Sequence, residues 1–183
     1  GEGIAQLAEG GLDDAHPLLL RMEAEDAPAA SPMRRRPRWA KMHPMDRTLL
    51  EAYLRTTYWI EAPEAWIPVR IGAHSAALDR LLATSGARCW AFLTSDNPGS
   101  RRLRPAENAA RRQRLEAELP PARLPGLGIG HAGDWPPEIS YFVPGLDRSE
   151  ATAIGRRHGQ VAVVCGVAGL PAELVPCGGD VRP

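Results

Sequence analysis

The order of helical and strand-like segments is the feature of this sequence that most constrains its fold. From residue 46 onwards, four segments with the apolar spacing of helices are interleaved with β-rich apolar runs. Strands are predicted within 57–63, 65–72, 88–96, 138–145, 161–169 and 172–177. Because hairpins and helical crossovers both occur, we predict an α+β (mixed α/β) fold: a single mixed β-sheet of about five to seven strands with helices packed on it.

Composition divides the chain near residue 45. Residues 1–45 mix Pro, Ala and the basic run Arg34–Trp39 without helical or strand periodicity, which predicts an irregular or disordered N-terminal arm. Residues 46–177 carry the regular pattern and are predicted to form a single globular domain, followed by a tail at 178–183. Met45 stands directly before the first predicted helix. The domain could therefore naturally start at Met45, in which case the residues before it would not belong to the natural protein.

The overall charge of the chain does not point to a particular partner. The formal net charge is zero, so no global attraction to nucleic acid or membrane is expected. The three cysteines Cys89, Cys165 and Cys177 are widely spaced, without a Cys-x-x-Cys pair. The apolar run Leu18–Leu20 is too short for a secretory or membrane segment. We therefore expect a cytoplasmic protein without a membrane partner.

Polar side chains collect where the third predicted strand gives way to a helix. Asn97 follows that strand, and Asn108 and Arg111 lie on the inward face of the helix. Ligands tend to bind outside the carboxyl ends of strands, where helix N-termini offer unpaired N–H groups. Glu138, at the start of another strand, and Gln160, after a helix-ending glycine, could reach the same place. We predict a ligand site formed by Asn97, Asn108, Arg111, Glu138 and Gln160.

Each of these residues also has a purely structural interpretation. Glu107 and Arg111 have the i, i+4 spacing of a surface ion pair, and Asn97 could form an Asx turn. Glu138 could act as a general base, or it could pair with Arg111 inside the protein. The amide of Gln160 could cap the end of a helix. The sequence leaves these alternatives open.

Several motifs with well-known chemistry are absent or out of context. Gly128–Gly133 matches G-x-G-x-x-G, but a dinucleotide site needs a helix directly afterwards, and the Asp-Trp-Pro-Pro stretch at 134–137 forbids one. We expect this passage to form a loop that could serve as a lid. No histidine stands at metal-ligand spacing from another His or Cys, and no serine-hydrolase motif is present. We therefore predict no metal site, and the sequence identifies neither a cofactor nor a catalytic residue.

Four short motifs give the chain a family resemblance. They are Asn97-Pro98 after a strand, Glu107-Asn108 with Arg111 at a helix start, Trp135-Pro136 with Glu138 before a strand, and Gly159-Gln160 with Ala162 after a helix. In this order they resemble a bacterial family catalogued as domain of unknown function 3293, over about residues 49–175. The resemblance supports the fold prediction and implies no activity.

One position departs from the family pattern. The family tends to place Ser or Thr three residues before the motif glutamate, whereas this chain has Arg104. An arginine cannot accept the helix amide hydrogen as a capping box requires, although Pro105 removes one of the amides that need a partner. We therefore expect the helix start to be less firmly fixed here.

Three functional hypotheses follow. The first is a binding protein or enzyme for an anionic small molecule, such as a nucleotide or phosphorylated metabolite, at the predicted site. The second is a non-catalytic module for protein or nucleic acid that uses Arg101, Arg102, Arg104 and the basic arm. The third is a domain without a ligand, whose polar motifs only fix turns and caps. The first is preferred over nucleic acid, because polar residues from four separate segments are predicted to meet.

Overall fold

The computed structural model describes residues 47–131 and 135–178, which lie in one unit that begins at Met45. The predicted arm at 1–45, the predicted cap Asp46 and the tail beyond Gly178 lie outside the described residues. The helices are α1 (Arg47–Arg55), α2 (Ala76–Ser85), α3 (Pro105–Glu118) and α4 (Arg148–Arg157). The strands are β1 (Thr56–Glu61), β2 (Trp66–Val69), β3 (Cys89–Thr94), β4 (Leu124–Gly130), β5 (Glu138–Pro144), β6 (Ala162–Val167) and β7 (Glu173–Pro176).

The seven described strands form one sheet in the order β2-β1-β4-β5-β3-β6-β7. The α+β class is therefore confirmed, and the number of strands lies within the predicted range. All pairings between these strands are antiparallel, whereas a mixed sheet was expected. The reason lies in the crossovers: strands joined through α2, α3 or α4 are never neighbours, so no helical connection produces an adjacent parallel pair.

The sheet curls until its two edges meet. Ile71, just after β2, forms an isolated parallel bridge with Ala172, just before β7. The Gly72 amide donates to the Ala172 carbonyl at 2.8 Å, and the Ala172 amide donates to the Ala73 carbonyl at 3.1 Å. Pro68 lies in β2 at the sheet edge, as expected for a residue that cannot donate to a ladder.

Helices cover the two faces of the sheet unequally. α3 and α4 pack on the face that carries Tyr141 and Val163, where the Tyr141 hydroxyl donates to Glu116. The opposite face, called the inner face below, carries Tyr58, Phe92 and Ser140 and is approached by α1.

Within the described residues, no helix has the length and apolar character needed to cross a membrane.

The glycine-rich passage before Trp135 was expected to be a loop, and this expectation was wrong for its first part. Leu124–Gly130 is strand β4, paired with β1 on one side and β5 on the other. Its glycines alternate with Leu127 and Ile129, which are both buried. The segment has the period-two pattern of a strand, with glycine instead of a side chain on the inner face.

The β4 glycines are predicted to differ sharply in their tolerance to alanine. A Cβ at Gly126 would lie 2.5 Å from the Trp59 carbonyl oxygen and 2.7 Å from the Phe92 ring, whereas the nearest atoms at Gly128 are 3.9 Å away. We expect Gly126→Ala to lower the free energy of unfolding by about 2 kcal/mol through overpacking, and Gly128→Ala to change it little. Urea denaturation of both variants tests this, and equal destabilisation would contradict the packing of Phe92 against β4.

The start of α3 is fixed by a modified cap. Arg104 lies at the cap position, and the Glu107 carboxylate accepts its backbone N–H at 3.1 Å and its side-chain Nε–H at 3.0 Å. The hydrogen bond from the Arg104 side chain holds the pKa of Glu107 below its usual value. An ion pair between residues 104 and 107 therefore lies where the family pattern has Ser or Thr at the cap position.

Candidate functional site

The candidate site is built on the turn that follows β3. Ser95, Asp96 and Asn97 are all buried, and Asn97 adopts a left-handed conformation with φ of 46°. Asparagine tolerates this region better than most residues, which lets the chain reverse before the 3₁₀ turn Pro98–Ser100. The Asp96 amide donates to the Thr94 hydroxyl at 3.1 Å. The turn therefore holds three polar residues inside the protein.

Asn97 and Asn108 join the turn to α3 through reciprocal hydrogen bonds. The Asn97 backbone N–H donates to Asn108 Oδ1 at 3.1 Å, and Asn108 Nδ2 donates to Asn97 Oδ1 at 3.0 Å. The same Asn97 oxygen accepts the Leu103 amide at 2.9 Å. Asn97 is therefore more than an Asx turn, since it connects β3, the loop and α3.

Glu138 is held at the start of β5 by two donors. Asn97 Nδ2 donates to its Oε1 at 2.8 Å, and Trp135 Nε1 donates to the same oxygen at 2.9 Å. Burial raises the pKa of Glu138 and the charge of Asp96 raises it further, while the two hydrogen bonds oppose this shift. The arrangement fixes the orientation of the carboxylate, and it differs from the Arg111 partnership considered from the sequence.

Arg111 and Gln160 bond to backbone carbonyls of the site. Arg111 Nε donates to the Ser95 carbonyl at 2.8 Å, and its Nη2 donates to the His158 carbonyl. Gln160 Nε2 donates to the Asp96 carbonyl at 2.9 Å. Glu107, the other sequence-based partner of Arg111, instead pairs with Arg104. Arg111 therefore fastens the turn to the end of α4.

Sequence reasoning did not single out the ion pair between Asp96 and Arg112. Arg112 Nη1 donates to both Asp96 carboxylate oxygens, at 3.2 and 3.0 Å, and the side chains are only 13% and 5% exposed for Arg112 and Asp96 respectively. Burial raises the pKa of Asp96, and the charge of Arg112 opposes this shift. Helical spacing places Arg112 on the same inward face as Asn108 and Arg111, but no local pattern pairs it with Asp96.

An inner cavity of about 220 Å³ opens beside this network, between α1 and the inner face of the sheet. Asn97, Glu138 and Gln160 are among its lining residues, whereas Asn108 and Arg111 are not. The structure thus brings all five predicted residues together around one turn, with three facing the cavity and two behind it. Other lining residues include Leu49, Tyr53, Thr56, Tyr58, Phe92, Thr94, Gly128, Gly130, His131, Trp135 and Ser140.

The space in the cavity comes largely from glycines of β4. Gly128 pairs with Tyr58 and with Glu138, and both Gly128 and Gly130 line the cavity. A side chain at either position would project into it, since a Cβ there would have no neighbouring atom closer than 3.9 Å. The alternation of glycine with Leu127 and Ile129 was the sequence signal for this cavity, although it was interpreted as a loop.

Aromatic residues form part of the cavity wall and stay uncharged. Tyr58 packs edge-on against Phe92, with ring centroids 5.5 Å apart. Burial raises the pKa of Tyr53 to about 12, with a further increase from the charge of Glu138. Burial likewise raises the pKa of Tyr58. Both tyrosines are therefore protonated at neutral pH, and Glu138 is the acidic side chain that lines the cavity among the described residues.

The arginine-rich stretch of the second hypothesis lies on the surface near the same region. Arg101, Arg102 and Arg104 are exposed. Arg104 is paired with Glu107, and the Arg102 guanidinium lies 5.6 Å from the centre of the Trp135 ring. Within the described residues, no group of three or more His, Cys, Asp or Glu side chains is placed to hold a metal ion.

Comparison with known proteins identifies a family for part of the chain. Residues 93–163 match the model of a family described as protein of unknown function (DUF3293), which confirms the resemblance over this segment. The match covers less than half of the chain but includes all four motifs. Searches of curated proteins and of solved structures gave no significant match. The four motifs are the same elements that meet at the turn after β3.

Proposed function

We propose that this chain, whose residues 93–163 belong to the DUF3293 family, binds a small organic molecule in the inner cavity. The observation that carries the proposal is the position of Glu138. Its carboxylate is held by Asn97 and Trp135 at the wall of the cavity, where burial raises its pKa. An ionisable group with a raised pKa in a cleft is a common mark of a functional site.

The size and walls of the cavity suit a ring-sized ligand. An apolar cavity of about 150 Å³ is enough to bind benzene, so the cavity of about 220 Å³ can hold a ring with a short substituent. Tyr58 and Phe92 provide aromatic wall surface, and Glu138 provides a fixed polar contact. Small-molecule sites combine mostly apolar walls with a few placed polar groups in this way.

The other functional hypotheses receive less support from the geometry. Arg111, which was expected to meet an anion, donates to two backbone carbonyls and does not line the cavity. Arg104 of the surface stretch is already paired with Glu107. Phosphorylated metabolites and nucleic acid are therefore tested as alternative ligands.

We also propose that the protein is cytoplasmic and bacterial, since its three cysteines are free and its motifs resemble a bacterial family.

A thermal-shift screen of the full chain against a metabolite library tests the proposal, because a ligand that binds only the folded form raises the melting temperature. Each hit is then measured on Gly128→Leu and on its matched control Gly128→Ala. The leucine side chain would occupy the cavity, whereas alanine meets only ordinary contacts. We expect Gly128→Ala to keep the thermal shift and Gly128→Leu to lose it.

Two results would count against a ligand in the inner cavity. A thermal shift that persists in Gly128→Leu places the compound elsewhere on the protein. A screen in which no organic compound shifts the melting temperature, while Gly128→Leu simply melts higher than wild type, indicates a packing defect without a ligand. Circular dichroism of the variants establishes that each one is folded.

A further inference from the structure

Three hydroxyl groups at the cavity wall donate their hydrogens to backbone carbonyls inside the protein. Thr56, Thr94 and Ser140 each donate to a backbone carbonyl, at 2.9, 2.8 and 3.1 Å. A hydroxyl has one hydrogen to donate and two lone pairs that accept. These groups can therefore offer a ligand hydrogen-bond acceptors, and they cannot offer donors without breaking an existing bond.

The nitrogen donors beside Glu138 are partly or wholly engaged. The single N–H of the Trp135 ring donates to Glu138 Oε1, so it has no hydrogen left for a ligand. The side-chain amide of Asn97 donates one hydrogen to the same oxygen, and that of Gln160 donates one to the Asp96 carbonyl. Each amide therefore keeps only one hydrogen that it could donate to a ligand.

The second carboxylate oxygen of Glu138 is the acceptor that this network leaves open. Both hydrogen bonds to the carboxylate are at Oε1, and among the described residues none is made to Oε2. The basic lining residues Arg55 and His131 are exposed, whereas Glu138 is half-buried. The inner part of the cavity is thus negative and rich in acceptors.

We infer that the ligand of this cavity carries a protonated amine or an amidine-like group that donates to Glu138 Oε2, with a ring or other apolar body against Tyr58 and Phe92. The inference rests on the proposed function and names the chemical class of its ligand. It replaces the anion considered from the sequence, because a carboxylate or phosphate in the inner part of the cavity would face the negative charge of Glu138.

Matched ring compounds test the charge preference. Benzylamine, benzyl alcohol and benzoate share one ring and differ in the group attached to it. Their dissociation constants are measured by NMR titration of the full chain and of Glu138→Gln. We expect benzylamine to bind wild type about 10-fold to 100-fold more tightly than benzyl alcohol, as for a hydrogen bond to a charged group, and benzoate to bind most weakly.

Glu138→Gln retains the network while removing the charge. The amide oxygen can accept from both Asn97 and Trp135, and the amide nitrogen replaces Oε2. We expect this variant to lose the preference for benzylamine and to melt at the same temperature as wild type or higher at neutral pH, because a partly buried charge is removed. Glu64→Gln, an exposed loop position with the same change of charge, is the control and should bind like wild type.

The outcomes separate this inference from the proposed function. If benzoate binds wild type as tightly as benzylamine, or if Glu138→Gln binds benzylamine as wild type does, the ligand class is wrong although the cavity binds ligands. If none of the three compounds binds, and the metabolite screen also finds no ligand sensitive to Gly128→Leu, the proposed function fails together with the inference.

Discussion

Replacing Asn97 with alanine is expected to lower the free energy of unfolding by about 3 kcal/mol. The change removes the acceptor of the Leu103 amide and of the Asn108 side chain, and it removes one of the two donors to Glu138. Each buried polar group left without a partner costs about 1–3 kcal/mol. Alanine at a φ of 46° adds backbone strain that asparagine tolerates better.

Asn97→Gly separates the side-chain effect from the backbone effect. Glycine adopts positive φ readily, so it should be less destabilising than alanine by up to about 1 kcal/mol while losing the same hydrogen bonds. Urea denaturation of both variants gives the comparison. A loss below about 1 kcal/mol for Asn97→Ala would show that this side chain does not hold the turn, α3 and Glu138 together.

Replacing Arg112 with leucine is expected to lower the free energy of unfolding by about 3 kcal/mol at pH 7, since breaking a buried ion pair leaves an uncompensated charge. The remaining charge is that of Asp96, whose pKa is already raised by burial and would rise further without Arg112. Because the pKa of Asp96 is higher in the folded than in the unfolded protein, the ionised carboxylate destabilises the fold. The loss of stability should therefore be fully present at pH values above the pKa of Asp96 in the folded variant. It should shrink as the pH falls towards the pKa of Asp96 in the unfolded chain, about 3.9.

The double variant Asp96→Asn/Arg112→Leu is the control for this ion pair. It removes both charges, so it should be more stable at pH 7 than Arg112→Leu alone. Its difference from wild type should also depend less on pH. If Arg112→Leu shows the same loss at pH 7 and at pH 4, the effect comes from packing and not from the charge of Asp96.

Much of the fold followed from local periodicity. Four helices and six of the seven described strands lie where apolar spacing placed them, and Pro68 lies in an edge strand as its missing N–H requires. Strand β4 was not predicted, because its glycines are compatible with a turn as well as with a strand that has no side chains on one face. The fully antiparallel pairing was not predictable either, because it depends on crossovers that skip a strand, which no local pattern records.

The sequence predicted that the five polar residues would lie near one another, but it did not predict how they are connected. Helical spacing placed Asn108 and Arg111 on the inward face of α3, and the structure brings them to the turn with Asn97. Their partners could not be derived, since Arg111 bonds to carbonyls of residues 95 and 158, which are far apart in the sequence. The cavity itself depends on side chains that are missing from β4, and the alternation of glycine with apolar residues that indicates it was interpreted as a loop.

The two roles of Asn97 connect the stability of the turn to the proposed binding site. Its side-chain oxygen Oδ1 accepts hydrogen bonds from the loop and from α3, while its side-chain nitrogen Nδ2 donates to Glu138 and orients it. A carboxylate held half-buried with a raised pKa is unfavourable for the free protein, and a donor ligand would offset that penalty. In the proposed function, the same motif residues would serve both the fold and ligand binding.

The most direct measurement of the central claim is a crystal structure of the protein with the tightest-binding compound from the screen. We expect the compound in the inner cavity, with a nitrogen donor within about 3.2 Å of Glu138 Oε2 and its apolar body against Tyr58 and Phe92. A compound bound outside the cavity, or an anionic group on Arg111 with Glu138 left untouched, would contradict it.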